Sequence, residues 1–298
     1  MKRSGRKYWQ LYLCLLPVLA YFVVFHYLPM YGVQIAFRDF NPLDGVTGSN
    51  WVGFKHFQRF FNSYYFQRLL VNTLVLSLYQ LVVSFPMPIL LAIMLNELNS
   101  NKFRKTMQMV TYAPHFLSVV VVVGMMTNML SPRTGIVNHM LSSLGVEPIF
   151  FMSEPGWFRH LYVWSGVWQS TGWSSIIYIA AIAGIDSSLY EAAIVDGASR
   201  LKRIWHITLP GLLPTAIILL IMQCGSIMSI GFEKVYLMQN DMNLSTSQII
   251  STYVYEAGLV EAQFSFAAAI DLFNSVINCV LLVIVNTISK KASETSLF

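Results

Sequence analysis

Six long apolar runs divide the chain, at roughly 8–37, 69–96, 106–132, 160–185, 204–232 and 262–289. Five contain no Asp, Glu, Lys or Arg, and the sixth contains only Asp271. Each can hold the ~20 apolar residues that cross a bilayer. Backbone polar groups in lipid must be satisfied within the segment, so these runs predict helices. The alternating pattern of a membrane barrel is absent. The expected fold is all-α: a polytopic membrane protein with six transmembrane helices over 11–36, 69–95, 106–130, 158–184, 207–231 and 264–288, read as a single transmembrane domain, 1–298. Between the first two spans, turn signals at Asn41-Pro42 and Asp44-Gly45 give way to Trp51, Phe54, Phe57, Phe60 and Phe61, a pattern that predicts an interfacial aromatic helix.

Composition agrees with that reading. The 298 residues are 55% hydrophobic and 11% charged, against about 25% charged in soluble domains. Cys14, Cys224 and Cys279 all sit inside apolar runs, which suggests neither a disulfide framework nor a metal site. The net charge of +5 is explained by placement. With six spans, the termini share a side with the loops near 97–105 and 186–203, and that side holds 12 of the 19 Lys and Arg residues. By the positive-inside rule both termini are expected in the cytoplasm, and no nucleic-acid partner is needed. Met1–Lys7 resembles the basic start of a signal peptide. The apolar run behind it is too long for one, so an uncleaved first span is expected.

Among the charged stretches between the apolar runs, the loop 186–206 is the most informative. Ser188 and Glu191 fit a capping box that starts a helix, with Asp186 adding favourable charge at its N-terminus. The helix is expected to stop near Asp196-Gly197. A second amphipathic turn with Leu201, Ile204 and Trp205 on one face follows, and Pro210 restarts a membrane helix. By itself the loop reads equally as an interfacial connector or as a docking surface. Glu191, Ala192, Ala193, Asp196, Gly197, Ala198 and Pro210 together resemble the EAA loop of ABC importer permeases. The resemblance implies a cytoplasmic coupling-helix loop that seats in a cleft of a separate ATPase and transmits its closure to the spans. No Gly-x-x-x-x-Gly-Lys-Ser/Thr phosphate loop occurs in the chain. Hydrolysis is therefore expected on a partner, which would bind ATP and Mg; no cofactor and no metal are expected in this chain, and it is expected not to be an enzyme.

Six polar or aromatic positions in the spans are candidates for a substrate path. Trp164 and Trp168 lie at i and i+4, with Gln169 and Trp173 nearby, and Gln223 and Asn274 place amides in the fifth and sixth spans. Aromatic faces cover the C–H faces of sugar rings, and amides serve hydroxyls. Each residue has a plainer use in helix packing. Asp271 is an acid inside a span and a seventh candidate, facing a cavity or a helix partner. The strings Trp168-Gln169-Ser170-Thr171-Gly172-Trp173, Gly231-Phe232-Glu233 and Thr252-Tyr253-Val254-Tyr255-Glu256 extend the resemblance to nearly the whole chain. It is similar to permeases of type I (binding-protein-dependent) ABC carbohydrate importers, in the oligosaccharide and polysaccharide branch. That resemblance implies a second permease, generally a different chain, ABC ATPase subunits, an extracytoplasmic solute-binding protein and a plasma-membrane location. The alternatives are an ABC permease for another solute class, a secondary transporter centred on Asp271, and a membrane sensor that keeps the loop but moves nothing.

Overall fold

The structure is a computed structural model that describes residues 9–293; the basic stretch Met1–Lys7 lies outside them. Among the described residues, four helices are long and apolar enough to cross a membrane alone: Tyr12–Phe37, Tyr65–Asn96, Arg200–Cys224 and Phe264–Lys291. Two further crossings belong to bent pairs. Asn101–Phe116 meets Val119–Met129 at 97°, and Pro155–Ala183 meets Ser187–Val195 at 70°. Counting each pair as one span gives six.

The third run was expected as one helix over 106–130, and it is broken instead. Pro114 sits in a tight 3-10 turn, Ala113–Phe116, and Leu117 is extended. Ser118 then caps the next helix by accepting from Val121 N–H at 3.3 Å. A break in lipid strands backbone groups. Gln169 supplies a partner, its Nε2 donating to Leu117 O at 2.8 Å.

Proline is handled by the same device twice. A wide π turn, Val23–Tyr27, runs directly into Leu28-Pro29, and another, Ile204–Thr208, runs into Leu209-Pro210. A proline ring lacks a donor and collides with the carbonyl four residues back; the wider turn moves that carbonyl away. Pro210 therefore does not restart a helix, as the sequence suggested. It continues one that already runs from Arg200 to Cys224.

The chain packs as two compact units, Met1–Phe66 with Val254–Phe273, and Gln67–Tyr253 with Asn274–Phe298. In the first, the most apolar window of Tyr12–Phe37 is 0% buried, leaving that span's surface uncovered. An antiparallel pair joins Arg38 to Trp51, and Phe37 stacks on Trp51 at 5.5 Å. The expected aromatic helix is Lys55–Phe61, which buries Phe60 against Phe66, Phe266 and Phe273. In the second unit, Pro155–Ala183 is the central element. Its Phe158, Tyr162, Val163 and Val167 pack with Leu76, Val123, Ile230, Val235 and Met238. Further along, Tyr178 and Ile182 pack with Ala92, Ile93 and Leu212. Gly172 lets this helix touch the backbone of its neighbour: a Cβ there would stand 2.0 Å from Thr111 O.

Candidate functional site

The loop after the central helix is built from strong local signals. Asp186, rather than Ser188, is the cap: its carboxylate accepts from Ser188 N–H at 2.9 Å and begins the helix Ser187–Val195. That bond holds the Asp186 carboxyl below its usual range. The helix ends where expected. Ala198 N–H donates to Ala193 O at 2.8 Å and Gly197 N–H to Ile194 O at 3.0 Å, a Schellman closure with Gly197 at φ +71°. Ser199 caps the helix that starts at Arg200.

This loop is mostly exposed, Glu191, Ala192, Asp196 and Gly197 included, with Ala193 and Ala198 half-buried. Leu189, Ile194, Val195, Leu201 and Trp205 are exposed alongside them, with Val195 at 86%. The loop thus exposes apolar side chains beside its charged ones. Two contacts tie the loop to the spans. Tyr190 Oη lies 3.0 Å from Thr208 Oγ1, and Ile185 fills the space beside Gly211, where a Cβ would meet it at 2.5 Å.

A cavity of about 580 Å³ opens in the second unit, a size typical of small-molecule sites. Its polar lining is Ser77, Gln80 and Ser84 from one helix, Ser170, Trp173 and Ser174 from the central helix, and Gln223, Ser226 and Ser229 from the end of Arg200–Cys224 and the turn beyond; apolar side chains such as Phe85, Ile177 and Leu219 form most of the remaining wall. No charged side chain lines it. Ser77 Oγ and Gln80 Oε1 are buried there with no partner among the described residues. Orphaned buried polar atoms are costly.

Of the predicted path residues, the structure brings Trp173 and Gln223 together in this cavity. Trp173 is held in place by His115, stacked at 4.6 Å. Trp164 and Trp168 are not in it. Trp164 is nine residues, or two and a half turns, from Trp173 and therefore faces the other way. Both are about half exposed, and the Trp164 indole donates to Tyr79 Oη at 3.1 Å, which meets His160 Nδ1 at 2.9 Å. Gln169 is spent on the break at Leu117. Asn274 is buried outside the cavity lining, with Oδ1 unpartnered. Asp271 belongs to the other unit, is exposed, and has no hydrogen bond or ion pair among the described residues. No group of three metal-ligating side chains occurs among them either.

Residues 63–294 match the family described as "Binding-protein-dependent transport system inner membrane component". The chain belongs to this family. As an inner-membrane component it resembles Protein LplB of Bacillus subtilis (strain 168), 44% identical over 97% of this chain and 91% of the relative. It is also 44% identical to the polygalacturonan/rhamnogalacturonan transport system permease protein YteP of the same organism, over 100% of this chain and 92% of that one. A solved bacterial ABC transporter for import of the acidic polysaccharide alginate superposes with TM-score 0.91 at 42% identity, covering 98% of both chains. The alginate transporter in complex with a pentasaccharide-bound periplasmic protein gives TM-score 0.92 at 41% identity and 99% coverage of both.

The cavity serines of this inner-membrane component escaped the sequence reading. A signal was present. Ser77, Gln80 and Ser84 recur at i, i+3 and i+7 in an otherwise apolar span, and Ser170 and Ser174 recur at i and i+4.

Proposed function

We propose that this chain is the membrane permease of an ATP-driven importer of oligosaccharides or polysaccharide fragments, and that it forms half of the translocation path. The observation that carries this is the cavity, with six serine hydroxyls, two glutamine amides and one tryptophan, and no charge. Hydroxyls and amides exchange hydrogen bonds with sugar hydroxyls, and the indole covers a ring face. YteP is named for polygalacturonan/rhamnogalacturonan transport and the solved neighbour for alginate import, both polysaccharides.

In this reading Glu191, Ala192, Ala193, Asp196, Gly197 and Ala198 dock an ABC ATPase. The ATPase binds ATP and Mg and performs the hydrolysis. A second permease, a different chain, completes the path, and an extracytoplasmic binding protein delivers the sugar. Both termini and the loop face the cytoplasm, following the distribution of Lys and Arg. ATPase closure moves the loop as a rigid body, and the Tyr190–Thr208 and Ile185–Gly211 contacts pass that movement to the spans.

Co-purification of the tagged chain in mild detergent tests the assembly, comparing wild type with Gly197→Asp and Glu191→Ala. The expected result is that the ATPase and second permease accompany wild type and that Gly197→Asp loses the ATPase. A wild-type chain that purifies alone overturns the reading.

A further inference from the structure

A second cavity, about 610 Å³, opens at the end of the central helix remote from the exposed loop. Glu154, Gly156, Trp157, His160 and Trp164 line it, and none of them lines the first cavity. All five belong to the second unit. Trp157, His160 and Trp164 recur at i, i+3 and i+7, so they share one helix face over about 10 Å. Trp157 is 41% exposed and Trp164 51%, which leaves indole surface open to a solute.

Both indoles are held. Trp157 meets the buried Phe151 edge-to-face, with 5.0 Å between ring centres. Trp164 donates its N–H to Tyr79 Oη, which lies 2.9 Å from His160 Nδ1. An indole only donates, so Tyr79 accepts from it and has its own proton for Nδ1. The imidazole proton then sits on Nε2, which makes no hydrogen bond among the described residues. Glu154 starts the central helix without a side-chain cap bond, so its carboxylate is uncommitted too.

Tryptophans near the end of a span commonly anchor in lipid headgroups. Here Trp164 turns its N–H inward to Tyr79, and the exposed His160 and Glu154 share the cavity wall with both indoles. Ionisable side chains in a span face water or a solute rather than hydrocarbon.

We propose that this second cavity is a separate sugar site, built for uncharged pyranose rings. The indoles cover the C–H faces of the rings. His160 Nε2 donates to a sugar oxygen, and Glu154 accepts from neighbouring hydroxyls. Glu154 is the one charged group in the lining, so a ring that carries its own carboxylate is disfavoured. The site takes its solute class from the importer reading above. It adds a place where sugar is held outside the first cavity, on the face of the central helix opposite Trp173.

The test uses the assembled importer labelled with fluorotryptophan, in lipid nanodiscs without binding protein, read by fluorine NMR. Trp157→Phe and Trp164→Phe identify the two signals; if one variant does not assemble, the other still assigns its own. Both signals are expected to move on titration with maltotriose, in wild type and in Gln223→Leu alike. Trigalacturonate is expected to need an about fivefold higher concentration for the same movement, and Glu154→Gln to bring the two probes within about twofold. Signals that ignore maltotriose, or that stop responding in Gln223→Leu, overturn the site. So do signals that follow only an exchange of phosphatidylglycerol for phosphatidylcholine. Equal response to the two probes in wild type, or a difference that persists in Glu154→Gln, overturns the role given to Glu154. Uptake by the same complex with its binding protein, in ATP-loaded proteoliposomes, separates this site from the importer reading. Uptake without signal movement removes the site and leaves the importer. Signal movement with no uptake of any sugar supplied removes the importer reading and leaves the site.

Discussion

Tyr190 Oη and Thr208 Oγ1 are 3.0 Å apart, and they belong to different helices. Tyr190 sits on the exposed helix Ser187–Val195, whereas Thr208 is 1% exposed in the π turn that leads into Pro210. This bond joins the exposed loop to the root of a span. Tyr190→Phe removes one hydrogen bond, worth about 1 kcal/mol. The melting temperature of the detergent-solubilised chain is expected to fall by about 2–4 °C, with the ATPase still bound. Sugar moved per ATP hydrolysed in proteoliposomes is expected to fall, and an unchanged ratio would show that the bond carries no coupling.

Gly172 sets a close helix contact in the second unit. Its missing Cβ would be 2.0 Å from Thr111 O and 2.4 Å from Thr111 C, both backbone atoms that cannot rotate away. Gly172→Ala is expected to destabilise by about 3 kcal/mol or more and to abolish a monodisperse complex in size-exclusion chromatography. Gly124→Ala is the control, because nothing lies within 4 Å of its Cβ position. It is expected to be neutral or to stabilise by up to about 1 kcal/mol.

Gln223 faces the cavity at the end of Arg200–Cys224. Gln223→Leu retains its bulk and removes the amide. Uptake is expected to fall about tenfold, with assembly and basal ATP hydrolysis preserved. Trp164→Phe, on the opposite helix face, is expected to change uptake less; the reverse order would move the path to that face.

The Lys234 pKa is lowered from 10.5 to about 8 by burial. Between those values the unfolded chain binds more protons than the folded one, so stability rises with pH across that window and is lost as pH falls through 8. In thermal unfolding from pH 7.5 to 10.5, wild type is expected to gain on Lys234→Met by an amount on the order of a few kcal/mol. Parallel curves for the two proteins would mean that the lysine is not desolvated.

The sequence by itself determined where the chain meets lipid and where it does not. Charge-free runs of bilayer length are a one-dimensional property, and so are the helix stop at Asp196-Gly197 and the exposed loop around it. Gly197 adopts φ +71°, a region glycine enters without cost, which is why that stop was legible. The cap was misread by two residues because Asp186 and Ser188 are both good caps, and local sequence does not choose between them. The opposite facing of Trp164 and Trp173 was contained in their nine-residue spacing.

Only the tertiary structure decided the rest. The 97° break after Phe116 depends on Gln169, more than fifty residues away, donating to Leu117 O. The cavity exists because three separate helices turn their serine and glutamine faces toward one another, and each face alone is an ordinary polar stripe. Packing places Lys234 against Tyr162, outside ion-pair distance of every carboxylate among the described residues. Helices and caps arise from interactions within a few residues, which a sequence displays. Cavities and unpaired charges arise from what distant segments do or do not bring together, which it does not.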